Sequence, residues 1–207
     1  MSRRLIILLH GVGSSGANIA PLGEAWHAAM PDTDFVAPDG PFGFDHGAGR
    51  QWFSLDGITP ENRPGRVVAA RESFDRTLAA ILAARGLTHR LDRVVLAGFS
   101  QGAIMALDAV ASGRWPVAAV VAFSGRLATP SLTPAGQTPV MLIHGDADGA
   151  IPVAESIEAE ARLLAAGVAA KLHVLAGVGH TISPAGAEMA GRFIASLLDT
   201  AVRPDFS

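Results

Sequence analysis

Short runs of apolar and β-branched residues alternate with longer segments of helical periodicity along most of this chain. Residues 5–9 form a continuous apolar run before the glycine-rich stretch HGVGSSG, which is typical of a strand buried on both faces of a parallel sheet. Residues 67–85 repeat apolar positions at helical spacing, and Gly86 follows as a natural C-cap. This alternation predicts an α/β fold with a mostly parallel central sheet, right-handed crossovers and helices on both faces. The predicted strands are 5–9, 34–37, 93–97, 117–123, 140–143 and 170–175, and the predicted helices are 17–29, 67–85, 101–112, 153–166 and 185–199.

The composition is that of a folded domain rather than a disordered or fibrous chain. Of the 207 residues, 49% are hydrophobic and only 17% are charged, a balance that argues against disorder. A chain of this length can bury a full core. The sequence contains no internal repeat, low-complexity tract or linker, so we expect a single α/β domain spanning residues 1–207.

Charge and cysteine content exclude several classes of function. The net charge of −3 and the pI near 6.1 provide no broad basic field for nucleic acid. The chain has no cysteine, so a disulfide, a thiolate metal site and a cysteine nucleophile are all excluded. The apolar run at 5–9 is too short for a signal peptide or a membrane span, which predicts a cytoplasmic protein without stable membrane insertion.

The sequence motifs do not predict a binding site for a metal ion or a nucleotide cofactor. The seven histidines include no His-x-x-x-His pair on a predicted helix, so we predict no metal site. The glycine-rich stretch HGVGSSG lacks the Lys-Ser/Thr pair that completes a phosphate-binding P-loop. We therefore expect no cofactor.

The segment 94–105, VVLAGFSQGAIM, places Ser100 between a predicted strand and a predicted helix. A serine hydroxyl becomes an effective nucleophile only when a nearby base removes its proton. Gly98 and Gly102 flank the serine as a sharp turn requires, because side chains there would clash with neighbouring backbone. The pattern Gly-x-Ser-x-Gly is common by itself, so the case for Ser100 as a nucleophile depends on the other loops.

Loops that follow parallel strands meet at one edge of the sheet, outside the carboxyl ends of the strands. One of these loops carries Asp146 and Asp148, and another carries His180. Serine, acid and histidine therefore follow one another in the chain order that accompanies a nucleophile on a strand-to-helix turn. Either aspartate fits the acid position, and we favour Asp148. His173 lies within a predicted strand, whereas His180 lies in a glycine-rich loop, so we predict His180 as the base.

The same edge of the sheet offers backbone N–H groups for an oxyanion. Ser100 precedes the predicted helix at 101–112, whose N-terminal partial positive charge favours developing negative charge. We predict the backbone N–H of Gln101 as one oxyanion donor and that of Val12, in the first loop, as the other. His10 and His144 end their strands, and we interpret both as structural residues that hydrogen-bond nearby loops.

An irregular stretch rich in glycine and proline, 40–66, contains an aromatic cluster. Such a cluster either packs against the core and the neighbouring loops or lines a ligand pocket. Trp52 and Phe53 are our candidates for the wall of an acyl-binding pocket. The members of the cluster are Phe42, Phe44, Trp52 and Phe53.

Five motifs occur together in this sequence: LHGVGSSG at 9–16, RQWFS at 50–54, GFSQGAIMAL at 98–107, HGDADGAIP at 144–152 and GVGHTIS at 177–183. Together they resemble the phospholipase/carboxylesterase family, the small bacterial esterases related to acyl-protein thioesterases. The similarity extends from about residue 5 to residue 198. The combination of GFSQG with the HGDxD loop is considerably more specific than Gly-x-Ser-x-Gly alone.

The resemblance implies the α/β-hydrolase fold, with Ser100 as nucleophile, Asp148 as acid and His180 as base. Members of the family hydrolyse carboxylic esters, and some hydrolyse thioesters, without a cofactor. The first His-Gly loop begins at residue 10, earlier than is common in the family, which predicts a sheet shortened at its N-terminal edge. The other site residues that the resemblance implies are the oxyanion donors Val12 and Gln101 and the substrate-side residues Trp52 and Phe53.

The leading hypothesis is a serine esterase that cleaves small to medium acyl esters through an acyl-enzyme, with acyl thioesterase or lysophospholipase activity as the alternative. The segment 124–139 is too short to hold a cap domain, which disfavours a lipase activated at an oil interface. A serine peptidase is a weaker alternative, and a non-catalytic binding module is disfavoured because Ser100, Asp148 and His180 are all present. The expected partner is a small-molecule ester or thioester, and the sequence is compatible with a homodimer.

Overall fold

The computed structural model describes residues 4–200, and it contains the alternating strands and helices that the sequence predicts. Within this range the strands are β1 (Arg4–Leu9), β2 (Thr33–Val36), β3 (Phe42–Gly43), β4 (Arg50–Gln51), β5 (Val94–Phe99), β6 (Ala119–Phe123), β7 (Val140–Gly145) and β8 (Ala170–Leu175). The helices are α1 (Gly16–His27), α2 (Arg63–Ala84), α3 (Gln101–Ala111), α4 (Ala154–Ala165) and α5 (Pro184–Thr200), and a short 3₁₀ turn spans Leu91–Arg93.

Six strands form one parallel sheet in the order β2-β1-β5-β6-β7-β8. The four central strands are buried almost throughout, because helices cover both faces of a parallel sheet. Leu9 pairs with Gly98, and Phe99 pairs with Phe123, so the loops after these strands leave the sheet at one edge. The predicted α/β fold with a parallel central sheet is confirmed.

Alternate side chains of β1 enter two separate cores, one on each face of the sheet. Leu5, Ile7 and Leu9 pack with residues of α2, α3 and α4, whereas Ile6 and Leu8 pack with residues of α1 and α5. This is the period-two alternation of a strand, and the continuous apolar run reflects a strand covered on both sides. Helices on both faces were predicted and are confirmed.

Helix α3, which begins directly after Ser100, is buried along its whole length. Its Asp108 carboxylate has no exposed surface and is paired with the guanidinium groups of Arg71 and Arg114. Thr129 also donates its hydroxyl to this carboxylate. Because a buried charge is tolerated only with such partners, these contacts tie the middle of α3 to α2 and to the segment after β6.

The structure adds detail to the stretch 40–66, which the sequence marks only as irregular. Strands β3 and β4 pair there as a short antiparallel hairpin, and two-residue strands are too short to produce a recognisable sequence pattern. Helix α2 begins at Arg63, four residues before the predicted start, with Pro64 in its first turn. Proline is accepted in a first turn because its missing N–H has no partner there in any case.

The connection after β6 agrees with the sequence-based expectation that no cap domain is present. On the N-terminal side, β2 is the outermost strand within residues 4–200 and contains only four residues. The segment 124–139 contains neither a helix nor a strand, so no cap domain is inserted between β6 and β7. Among the helices of the described range, none is both long and apolar enough to cross a membrane.

Candidate active site

Ser100 lies on a sharp turn between β5 and α3, with a φ of 52° and a ψ of −115°. The turn is closed by two glycines that have no room for a side chain. A Cβ at Gly98 would lie 2.5 Å from the backbone of Gly102, and a Cβ at Gly102 would overlap the carbonyl oxygen of Leu9. The backbone at Ser100 is strained for a residue other than glycine, and close packing on both sides holds it in place.

The structure brings together three of the predicted residues, Ser100, His180 and Asp148. The Nε2 atom of His180 lies 3.0 Å from the Ser100 hydroxyl, and its Nδ1 atom lies 2.7 Å from Oδ2 of Asp148. An Nδ1–H that donates to the carboxylate leaves Nε2 as the acceptor for the serine hydroxyl. The imidazole is therefore oriented to remove a proton from Ser100.

Asp148 is held by the loop that carries it. Its Oδ1 atom accepts the backbone N–H groups of Ala150 and Ile151, each at 2.9 Å. Burial by itself raises the pKa of the Asp148 carboxyl, but the hydrogen bonds from His180 and from these two N–H groups outweigh burial and lower the pKa from 3.8 to about 2. The carboxylate is consequently charged at neutral pH.

A second histidine reaches Asp148 from the buried side. The Nε2 atom of His144 lies 2.8 Å from the carbonyl oxygen of Ile151 and 3.2 Å from Oδ2 of Asp148. Its Nδ1 atom lies 2.6 Å from the Ser156 hydroxyl. The predicted structural role of His144 as a hydrogen-bond partner of nearby loops is confirmed. Its contact with the candidate acid was not predicted, because the residue ends a buried strand like many core residues.

His10 has the other structural role that the sequence predicts. Its Nδ1–H donates to Gly11 O at 2.7 Å, and its Nε2 accepts the N–H of Gly40 at 2.8 Å. Burial lowers the pKa of His10, and this effect exceeds the opposing one of the Gly11 hydrogen bond. The neutral ring thus connects the first loop to the stretch 40–66, and this prediction is confirmed.

The alternatives to Asp148 and His180 lie away from this hydrogen-bonded chain. Asp146 is exposed, and its Oδ1 accepts the N–H of Gly177 at 2.7 Å. His173 is half-buried in β8, and burial together with the nearby Lys171 lowers its pKa. Neither residue contacts Ser100, Asp148 or His180 through a hydrogen bond within residues 4–200.

The first loop carries the glycine spacing Gly-x-Gly-x-x-Gly at 11–16, but two of its three glycine N–H groups already bind other parts of the protein. Gly13 N–H donates to Arg50 O at 2.9 Å, and Gly16 N–H donates to the Asp39 carboxylate at 2.8 Å. A protein carboxylate thus lies at the start of α1, where a phosphate would bind in a dinucleotide site. Within the described residues, no group of three or more His, Cys, Asp or Glu side chains is placed to hold a metal ion.

Val12 and Gln101 line a cavity beside Ser100. Their backbone N–H groups have no hydrogen-bond partner within residues 4–200, so both are available as donors. The buried Gln101 side chain has a separate task that sequence reasoning missed. Its Oε1 accepts the N–H of Trp52 and its Nε2 donates to Phe53 O, both at 2.7 Å. This two-point contact fixes the end of the hairpin against α3.

Trp52 and Phe53 have different positions, because Trp52 packs in the core and Phe53 lines the cavity. Trp52 is only 1% exposed, packs edge-on against Phe74 and donates its indole N–H to His10 O at 2.9 Å. Trp52 does not line the cavity. It lies in the core instead of the predicted pocket wall. Phe53 does line the cavity.

The cavity has a volume of about 420 Å³, and Ser100 and His180 lie on its wall. Two arginines, Arg63 and Arg126, also line it, and sequence reasoning named neither. The only signal for Arg126 is its position just after β6, at the edge of the sheet where sites form. Most of the wall is apolar, and the large apolar side chains are Phe53, Leu55, Ile58, Phe99, Ile104 and Ile151.

A parallel sheet covered by helices on both faces, with a strained serine after a central strand, defines the α/β-hydrolase class. The model of the family described as Phospholipase/Carboxylesterase matches residues 1–198. The chain belongs to this family. It is a hydrolase of the carboxylesterase and thioesterase type.

Similar proteins agree with this assignment. The chain is 34% identical over 181 residues to Esterase YpfH of Escherichia coli (strain K12), covering 87% of this chain and 77% of that protein. It is 27% identical over 179 residues to Acyl-protein thioesterase 1 of Saccharomyces cerevisiae, covering 77% of this chain and 76% of the relative. The crystal structure of esterase PE8 superposes with a TM-score of 0.86 at 36% identity, covering 95% of this chain and 93% of that one.

Proposed function

We propose that this protein is a serine carboxylesterase that cleaves small to medium acyl esters through an acyl-enzyme intermediate. The single observation that carries the proposal is the continuous chain of hydrogen bonds from the Ser100 hydroxyl through His180 to Asp148, at 3.0 and 2.7 Å. Ser100 is the nucleophile, His180 the general base and acid, and Asp148 the group that orients His180 and stabilises its protonated form.

In the acylation half-reaction, Ser100 Oγ attacks the carbonyl carbon of the ester and its proton passes to Nε2 of His180. The carbonyl oxygen becomes an oxyanion, which accepts hydrogen bonds from the backbone N–H groups of Val12 and Gln101. The N-terminal end of α3 adds a favourable partial charge. His180 then gives its proton to the departing alkoxide, the C–O bond breaks, and the acyl group stays on Ser100.

Deacylation repeats the sequence with water in place of the alcohol. The water oxygen attacks the acyl carbon while His180 accepts a proton from the water. The backbone N–H groups of Val12 and Gln101 stabilise the second oxyanion. When the intermediate collapses, His180 returns the proton to Ser100 Oγ and the carboxylic acid leaves. Asp148 stays charged throughout, as its low pKa requires.

The cavity supports the choice of substrate size. Its mostly apolar wall suits an acyl chain, and its volume of about 420 Å³ falls within the range of small-molecule sites. The uncapped connection after β6 leaves access to Ser100 open to short soluble esters. Acyl thioester hydrolysis is the second candidate, and the similarity to an acyl-protein thioesterase favours it; lysophospholipase activity is the third.

Labelling with a fluorophosphonate probe, followed by mass spectrometry of the digested protein, tests the proposal. We expect one adduct, on Ser100, and turnover of p-nitrophenyl butyrate that disappears in Ser100→Ala. Parallel assays with butyryl-CoA compare thioester with ester hydrolysis. A folded protein that the probe leaves unmodified, or a Ser100→Ala variant with unchanged turnover, would overturn the assignment.

A further inference from the structure

Two arginines line the cavity next to Ser100, and the proposed ester hydrolysis gives neither of them a role. Arg63 belongs to the first turn of α2, and Arg126 follows β6. Both line the cavity together with Ser100 and His180. None of the cavity-lining residues in the described part of the chain is acidic. The cavity therefore combines an apolar wall with concentrated positive charge.

The backbone before Arg126 is shaped to bring this residue to the cavity. Ser124 is buried and adopts a left-handed φ of 48°. Gly125 passes so close to α3 that a Cβ on it would lie 2.7 Å from the Cβ of Ala103. The chain therefore bends at Ser124 and passes directly over the start of α3 at Gly125. Arg126 emerges from this turn with its side chain only 12% exposed.

Arg126 forms one ion pair, whereas Arg63 forms none with residues 4–200. Nη1 of Arg126 lies 2.9 Å from Oε1 of Glu155, which is more exposed than the arginine. The side chain of Arg63 makes no hydrogen bond and no ion pair with residues 4–200, although the exposed carboxylate of Glu61 acts on it at longer range. In the described part of the chain, Glu155 is the one carboxylate in direct contact with either arginine.

The two arginines influence each other directly. Burial lowers the pKa of Arg126, Glu155 opposes this effect, and the positive charge of Arg63 lowers the pKa further. Because an arginine does not lose its proton in a protein, the excess positive charge persists at every physiological pH. A bound anion would relieve the repulsion between the two guanidinium groups and would satisfy their free N–H groups.

We propose that Arg63 and Arg126 form an anion subsite, which makes the enzyme selective for esters whose substrate molecule carries a carboxylate or phosphate group. The inference rests on the proposed function, since the anion must be part of a molecule that Ser100 attacks. The anion belongs either to the acyl group, as in a half-ester of a dicarboxylic acid, or to the alcohol, as in a phosphorylated alcohol. Both sources share the same recognition chemistry, a planar or tetrahedral oxyanion held by paired guanidinium groups.

The test compares charged and neutral esters of equal length. On the acyl side, mono-p-nitrophenyl esters of adipic, suberic and sebacic acid are each compared with the methyl ester of their free carboxylate. On the alcohol side, 1-butyrylglycerol 3-phosphate is compared with 1-butyrylglycerol. We expect wild-type kcat/KM to favour the anionic member of at least one pair by about ten- to a hundredfold, as for a charged hydrogen bond.

Substitutions at the two arginines connect this selectivity to the subsite. Arg63→Gln and Arg126→Gln should each bring the ratio of the two kcat/KM values towards one, and Arg63→Lys should keep part of the preference. Arg66→Gln is the matched control, because Arg66 lies on the same helix, donates to Asp56 O and does not line the cavity; its ratio should equal that of the wild type. If Arg126→Gln fails to fold, Arg63→Gln carries the test.

The outcomes separate this proposal from the proposed function. Turnover of neutral esters with no preference for anions in either arm overturns the subsite and leaves the esterase assignment intact. A preference that Arg63→Gln retains in full also overturns it. If no ester is turned over and Ser100 resists the fluorophosphonate probe, the proposed function fails, and the subsite fails with it.

Discussion

Two serines with a left-handed backbone follow neighbouring strands of the sheet, and only one of them meets a histidine. Ser100 follows β5 with a φ of 52°, and Ser124 follows β6 with a φ of 48°. Each donates its backbone N–H to the next strand in the sheet, Ser100 to Phe123 O and Ser124 to Ile143 O, both at 2.9 Å. The two serines thus share a positive φ and the same backbone hydrogen bond to the neighbouring strand, at one edge of the sheet.

The two turns differ in which side chain they present. At the first turn, the serine itself faces the cavity, with its hydroxyl 3.0 Å from His180. At the second turn, the serine is 1% exposed and does not line the cavity, whereas Arg126, two residues later, does. A left-handed serine after a central strand is therefore insufficient to identify a nucleophile. The proposal of Ser100 as the nucleophile therefore depends on the neighbouring His180 and on the free backbone N–H groups beside the cavity.

Replacing each serine by alanine should produce the largest difference in activity between the two turns. Ser100→Ala should lower kcat/KM for p-nitrophenyl butyrate by about 10⁴- to 10⁶-fold, because the attacking oxygen is lost. Ser124→Ala should still be labelled at Ser100 by a fluorophosphonate, since its hydroxyl makes no hydrogen bond to His180. An adduct on Ser124 in the wild-type protein would contradict this distinction.

The next largest loss of activity should follow from removing the carboxylate of Asp148, which binds His180 beside Ser100. Asp148→Asn should lower kcat by about 10³- to 10⁴-fold, because an amide N–H facing Nδ1 of His180 imposes the wrong tautomer. Asp146→Asn is the matched control in the same loop. The asparagine oxygen can still accept the N–H of Gly177, so this variant should retain most of its activity. Esterase assays on both variants decide between the two aspartates, and a severe loss in Asp146→Asn alone would reverse the assignment.

Local sequence patterns were sufficient to predict the fold and the three residues that meet at the site. The spacing of apolar residues predicts buried strands and helices, and the carboxyl ends of parallel strands lie at one edge of the sheet. Ser100, Asp148 and His180 could be selected because each lies in a loop after a strand.

The composition of the cavity wall was not predictable in the same way. Trp52 and Phe53 are adjacent and chemically alike, yet one lies in the core and the other in the cavity. Their separation depends on the path of the stretch 40–66, which is fixed by long-range contacts such as the Gln101 side chain. The arginine at 63 enters the cavity only because α2 starts there, four residues before the apolar pattern does.

Alanine substitution of the glycines that close the two turns should destabilise them unequally. A Cβ at Gly102 would overlap backbone, the Leu9 carbonyl, whereas a Cβ at Gly125 would press on the Ala103 methyl group. We expect Gly102→Ala to lower the free energy of unfolding by about 3 kcal/mol or more, and Gly125→Ala by about 1–3 kcal/mol. Urea denaturation measures both values, and equal losses would mean that the Gly125 turn is as rigid as the Gly102 turn.

Acid denaturation should distinguish the turns as well. The Asp148 carboxyl has a pKa of about 2 in the folded protein against 3.8 as its ordinary value. Because the folded-state pKa is the lower one, the stabilisation is complete above about pH 4 and is lost as the pH falls towards 2. At about 1.4 kcal/mol per pKa unit it amounts to about 2 kcal/mol.

Comparing the pH dependence of the free energy of unfolding between variants separates the contribution of Asp148 from that of other carboxyls. The pKa of Asp108 is lowered too, since its bonds to Arg71, Arg114 and Thr129 outweigh the opposing effect of burial, so the wild-type curve contains both groups. Asp148→Asn should therefore lose part, not all, of the pH dependence between 4 and 2. Ser124→Ala should keep the wild-type slope. An unchanged slope in Asp148→Asn would refute the role of the carboxylate in stability.

Glycine in place of either serine tests the strain itself, with the smallest expected effect. A left-handed φ costs an alanine about 1–2 kcal/mol, and the greater freedom of glycine in the unfolded chain offsets about 0.5–1 kcal/mol of this. At both positions the glycine variant should therefore be more stable than the alanine variant by about 0.5–1 kcal/mol in urea denaturation. Ser100→Gly should lose esterase activity, whereas Ser124→Gly should remain labelled at Ser100. Equal stabilities of the glycine and alanine variants at either position would mean that a Cβ is accommodated there without strain, and the positive φ of that serine would then carry no cost.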